Sequence, residues 1–149
     1  MKILIDGDSC SKLQMIEAVS KQNGIECHVY HDGNHLLRPE YAISHIVEQR
    51  SNSADFAIAN ACQEGDVVIT NDSGLAAMIL AKRGVPVHQS GMVYTSQNIM
   101  TMLNRRYLRQ KSVQRTKRQQ VHGIEQIRNS KTDLKQVLLT KIQKCEVSV

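Results

Sequence analysis

Four aspartates carry the residue types and spacing that could do chemistry. Asp6 and Asp8 stand two residues apart with Gly7 between them, and Asp55 and Asp72 follow further along the chain. Carboxylates at such a spacing can converge on a hard cation or on the magnesium carried by a phosphate. Held by Asp6, Asp8, Asp55 and Asp72, one or two ions would assist a water in attack and stabilise a leaving oxygen, as phosphodiester hydrolysis requires. Two of the acids also have a plainer use: Asp55 complements a helix dipole and Asp72 caps a helix. Their joint placement is what raises the metal reading. Around them, Ser9, Thr70, Asn71 and Ser73 are candidates to orient a phosphate or the attacking water, beside a helix N-terminus that favours anions.

The elements that must position these acids follow from the apolar pattern. Lys2-Ile3-Leu4-Ile5 is an aliphatic run closed by Asp6, as expected of a buried parallel strand ending at a functional edge. A helix is expected from Ser9 to Asn23, with Leu13, Ile16 and Val19 as its stripe and Asn23-Gly24 as its stop. Ile25 to Tyr30 reads as a second strand and Ser44 to Gln49 as a short third one. Asp55, Ile58, Ala59 and Cys62 then fall at helical spacing, with a cap at Asn52 or Ser53. Asp66 to Thr70 is another buried strand that ends at an acid, Asp72, and a helix follows from Gly74 to Arg83. Asp66 starts that strand at the opposite edge and is left out of the site. Val85-Pro86-Val87 is one more strand, and a helix capped at Thr95 or Ser96 runs toward Arg109. Gln110 to Gln120 is polar and cationic, a solvated helix or a mobile linker, and Ile124 to Ile142 suits a final helix docking on the body. Strand alternating with helix predicts an α/β fold, a mainly parallel sheet covered on both faces.

Bulk properties narrow the classes. With 149 residues, 41% of them hydrophobic, the chain suffices for a single core. No apolar run approaches the ~18 residues of a membrane span and no leader precedes the first strand, so a cytoplasmic protein with no membrane partner is expected. The four cysteines are scattered and form no Cys-x-x-Cys pair, which argues against a zinc site or a disulfide framework. The histidines at 28, 31 and 35 match no metal-ligand spacing and are expected at the surface. Aromatic content of 3% disfavours base stacking as a mode of nucleic-acid binding. Charge is divided: residues 1–72 hold 11 acids against 5 Lys or Arg, and residues 73–124 hold 9 Lys or Arg and no acid. An acidic pocket beside a cationic surface suits an enzyme acting on a phosphodiester polymer, and Arg105, Arg106, Arg109 and Lys111 would grip its backbone without choosing a sequence.

Taken together, Ile3-Leu4-Ile5-Asp6, Asp55-Phe56-Ala57-Ile58-Ala59-Asn60-Ala61 and Val68-Ile69-Thr70-Asn71-Asp72 resemble the PIN domain, and within it the bacterial YaiI/YqxD family. The likeness extends through Asp6-Gly7-Asp8-Ser9-Cys10, Gly65 to Thr70, Tyr94-Thr95, Asn98-Ile99, Leu103 and Asp133. It implies a PIN-like three-layer α/β/α sandwich over residues 1–109, with 110–149 a basic connector and a C-terminal helix packed on the same domain. It also implies a magnesium- or manganese-dependent ribonuclease with RNA as partner. The chain departs from the family pattern in having Gly7, Ser9 and Ser11 around the first motif, and in lacking a proline after Asp72. The superfamily's second acid is matched only by order, in Glu40 or Glu48. A catalytically inactive PIN-like module that binds RNA or protein is the alternative; a homodimer is compatible with either. A phosphatase of the haloacid dehalogenase type would need its lysine before the later acid, whereas Lys82 follows Asp72.

Overall fold

The computed structural model describes residues 1–33, 38–48, 53–111 and 133–147, apart from the side chains of Arg106, Arg109, Gln110, Lys111 and Val147. In chain order the elements are β1 (Lys2–Asp6), α1 (Leu13–Gln22), β2 (Glu26–Asp32), β3 (Ile43–Val47), α2 (Ser53–Ala61), β4 (Val67–Ile69), α3 (Ser73–Ala81), β5 (Val85–Val87), α4 (Ser96–Lys111) and α5 (Leu134–Val147). The expected alternation is present. β3 starts one residue early and stops at Val47, and of Gln110 to Gln120 only the first two residues are described, as the end of α4. The expected last helix is described only from Leu134 onward; its first part lies outside the described residues.

All five strands are parallel, in the order β3-β2-β1-β4-β5. β1 is central because it is apolar on both faces: Ile3, Leu4 and Ile5 are fully buried. Pleating sends Ile3 and Ile5 to one face, where they meet Ile16 and Val19 of α1 and Leu134, Leu138 and Ile142 of α5. Leu4 points to the other face, with Val68, Tyr30, Ile58 and Ala59 of α2 and Leu75 and Ile79 of α3. The result is a three-layer α/β/α sandwich. α4 packs outside α3 through Ile99, Ala76 and Tyr94, and Met92-Val93-Tyr94 turns back so that Val93 bridges Val87 antiparallel.

Small features fasten the layers. Buried Glu17 of α1 accepts hydrogen bonds from the amides of Tyr41 (2.9 Å) and Ala42 (2.8 Å), holding the entry to β3. Asp66 accepts from the amides of Lys2 (3.0 Å) and Gln63 (2.8 Å) and pairs with the Lys2 ammonium, so it serves the amino edge of the sheet. Gly84 joins α3 to β5 where a Cβ would stand 2.6 Å from Ile79 Cγ2 and 2.9 Å from Cys62 Sγ. Cys27 and Cys62 are buried and Cys10 half-buried, whereas Cys145 is exposed on α5.

The histidines depart from the surface expectation. His31 is buried, bonding the Ser44 hydroxyl at 2.6 Å and its neighbour's carbonyl, Asp32 O, at 2.9 Å. His28 Nδ1 lies 2.8 Å from His45 Nε2, and the His45 ring stacks on Tyr30 at 4.5 Å. Register explains this: Tyr30 of β2 is paired with His45 of β3, a contact made only when the strands associate. His35 lies outside the described residues.

Candidate active site at the carboxyl edge

The connections run from β1 outward through β2 to β3 with α1 on one face, then cross back to β4 and β5 with α2 and α3 on the other. The direction of winding reverses between β1 and β4. Open α/β sheets bind ligands at such a switch point, outside the carboxyl ends of the strands. Asp6 is the last residue of β1, and Thr70-Asn71-Asp72 follows directly on β4, so the two acidic strand ends stand side by side there.

Asp6 is buried, only 7% exposed. Its Oδ2 accepts a hydrogen bond from Thr70 Oγ1 at 3.1 Å. Burial pushes its carboxyl above the usual carboxylate range; bonds from Thr70 and Ser9 oppose that, and the charges of Asp8 and Asp72 add to it. Asp8 is exposed on the following loop, with Oδ1 3.4 Å from the Asp32 amide at the end of β2. Asp72 caps α3: Oδ1 accepts from the amides of Gly74 (2.7 Å) and Leu75 (3.4 Å). Asp6, Asp8 and Asp72 therefore share one edge, and the charges of the latter two act on Asp6.

Asp55 lies in the first turn of α2, half-buried. Because α2 follows β3 and leads back to the start of β4, that turn is at the same carboxyl edge. Of the two order-matched glutamates, Glu40 precedes β3 on the amino side, whereas Glu48 follows it on the carboxyl side, two strands from β1. Among the described residues no three His, Cys, Asp or Glu side chains are already gathered to hold an ion.

The polar residues divide by role. Thr70 is only 1% exposed; its hydroxyl donates to Asp6 and accepts from the Asp72 amide at 3.0 Å, tying the two acids together. Buried Tyr94 donates from its hydroxyl to Thr70 O at 3.2 Å, and burial together with the Asp72 charge raises its phenol well above the ordinary range. Asn71 Nδ2 donates to Ser9 O at 2.9 Å, and the Asn71 amide donates to Ser9 Oγ at 3.5 Å. Ser73 opens α3 half-exposed. Gln89, after β5, was not marked by any local pattern; its Oε1 accepts from the Ser11 amide (3.1 Å) and hydroxyl (3.2 Å) across 78 residues of sequence. Arg105, Arg106, Arg109 and Lys111 share α4; Arg105 is half-buried, and the other three side chains lie outside the described residues.

The donors at this edge are oxygens. Cys10 is close enough to feel the charge of Asp6, but burial and that charge hold its thiol protonated, so it is a poor ligand. Asp6, Asp8 and Asp72 suit a hard, largely hydrated divalent cation bound through one or two carboxylates. No described helix is long and apolar enough to cross a membrane.

Comparison with known proteins bears out the likeness to the YaiI/YqxD family. The family model described as "Uncharacterized BCR, YaiI/YqxD family" matches residues 4–144. A UPF0178 protein of Clostridium acetobutylicum is 36% identical over 123 residues, 83% of each chain. A UPF0178 protein of Clostridium kluyveri is 38% identical over 116 residues, 78% of this chain and 76% of that one. One of Clostridium perfringens is 38% identical over 112 residues, 75% of each. No solved structure matches. With the acidic strand ends and most of the first strand and final helix inside the matched span, the chain belongs to the YaiI/YqxD family.

Proposed function

We propose that the chain is a magnesium- or manganese-dependent nuclease of PIN-like type that hydrolyses phosphodiester bonds in RNA. The observation that supports this best is the Asp6 carboxylate: buried at the switch point and loaded with the charge of Asp8 and Asp72. A divalent cation relieves that crowding, which water cannot do for a buried group. Asp6, Asp8 and Asp72 would hold the ion, with Asp55 at the same edge, and the ion would supply Lewis-acid stabilisation of the developing phosphate charge. The residues themselves orient: Thr70 fixes Asp6 and Asp72 fixes the start of α3, and Ser73, at that helix's first turn, would add a hydroxyl beside its N-terminal dipole for an anion. Arg105, Arg106, Arg109 and Lys111 would bind the RNA backbone.

The commitment of Asp72 Oδ1 to two amides favours a second reading, a PIN-like module that binds RNA or protein without cutting. Calorimetric titration of Mn²⁺ into the wild type and an Asp6→Asn, Asp72→Asn double variant, with single-stranded RNA cleavage on the same samples, separates the two. Asparagine still caps a helix, so the variant keeps α3. Loss of both binding and cleavage in the variant is expected. Metal binding with no cleavage supports the module, and a wild type that binds no Mn²⁺ removes the metal site.

A further inference from the structure

Resting on the metal reading of the Asp6 edge, we infer that Gln89 is a positioning residue that sets the Asp8 loop from β5, two strands away. Between Asp6 and Leu13 the chain has no regular structure, and Asp8 stands exposed on it. Ties within the loop are weak: Ser9 N and Ser9 Oγ reach Asp6 O at 3.3 and 3.4 Å, and Lys12, at the N-cap of α1, makes no side-chain capping bond. Its first residues are tied to β2 instead, Gly7 N donating to Tyr30 O at 2.8 Å and Asp8 Oδ1 accepting from the Asp32 amide at 3.4 Å. The distance between the Asp8 and Asp6 charges is therefore set from outside the loop.

Past Asp8, two amide side chains hold the rest of the loop, and the backbone of one is bonded to the other. Asn71 holds Ser9, Gln89 Oε1 holds the amide and hydroxyl of Ser11, and the Gln89 backbone N–H donates to Asn71 Oδ1 at 3.4 Å. The base of the strap is stiff. Gly91 N donates to His88 O at 2.9 Å, His88 N to Met92 O at 2.8 Å, and Ser90 N to His88 Nδ1 at 3.0 Å, with Gly91 at φ 97° closing the turn. The loops after β1, β4 and β5 thus form one bonded unit around the switch point, and Gln89 is its only side-chain link to Ser11 among the described bonds.

The test pairs amide hydrogen exchange with Mn²⁺ calorimetry on the wild type, Gln89→Ala and Gln89→Glu. In Gln89→Ala the Ser11 amide should exchange about tenfold faster, as expected for the loss of a bond of this kind, and the Mn²⁺ Kd should rise about three- to tenfold. Gln89→Glu keeps an acceptor of the same reach and should restore the exchange protection, which a merely space-filling role would not require. Unchanged Ser11 exchange in Gln89→Ala overturns the inference, as does faster exchange with an unchanged Kd. A wild type that binds no Mn²⁺ sinks the metal reading and the positioning of Asp8 for it, and is told apart from the other failures because it needs no variant.

Discussion

Asp6 is placed at a cost that the folded chain bears continuously. Its carboxyl is held above the usual value of 3.8. Stability present below that pH is therefore lost as pH rises through the folded value, and at neutral pH the ionised group destabilises the fold. Asp6→Asn can still accept the Thr70 bond and removes the charge. The metal-free variant should melt about 2–4 °C higher than the wild type at pH 7, the shift that about 1 kcal/mol produces in a chain this size. Added Mn²⁺ should then raise the melting point of the wild type and leave the variant where it is. Calorimetry showing the variant less stable at pH 7 would mean that Asp6 is a structural group. The acids themselves were legible in the sequence, because each closes an aliphatic strand or opens a helix. The contacts of Thr70, Tyr94 and Gln89 were not, since they join strand ends separated by 24 to 78 residues.

At the scale of the element, Gly84 shows how closely α3 and β5 approach. Gly84→Ala would place its methyl inside the space of Ile79 and Cys62, and should cost about 1–3 kcal/mol in urea unfolding, as overpacking generally does. A second element, the β2–β3 pair, is sensitive to acid. Burial, with His28 beside it, lowers the His45 value below 6.5, and burial does the same for His88. Both are neutral in the fold above that value, so no stability is lost there. As pH falls below about 6.5 the unfolded chain takes up protons that the folded chain refuses, and stability declines. His45→Gln should match the wild-type melting point at pH 8 and exceed it at pH 5.5; equal slopes in the two profiles would remove His45 as the cause. Helix and strand identities were readable from period and from glycine stops. The histidine pair needed the register of β2 against β3, which no single segment encodes.

For the whole molecule, charge division and topology act together. The acid-rich first half supplies the carboxyl edge, and the acid-free run from 73 to 124 includes all of α4. If four cations there meet RNA phosphates, affinity for a single-stranded oligonucleotide should fall about fiftyfold between 50 and 200 mM salt. Anisotropy titrations across that range would measure it, and a flat response would remove the cationic run from the interface. The α/β class was legible because buried parallel strands read as unbroken aliphatic runs. The strand order was not, because those runs carry no record of which neighbour each will choose.

Cys145 carries a practical consequence of the packing. The other three thiols are pushed toward the protonated form, Cys27 up to about 12, with Cys27 and Cys62 buried and Cys10 half-buried, while Cys145 is exposed near the end of α5. A thiol-reactive fluorophore therefore reacts first at Cys145 without any engineering. From there it reports the seating of Leu134, Leu138 and Ile142 on the central strand.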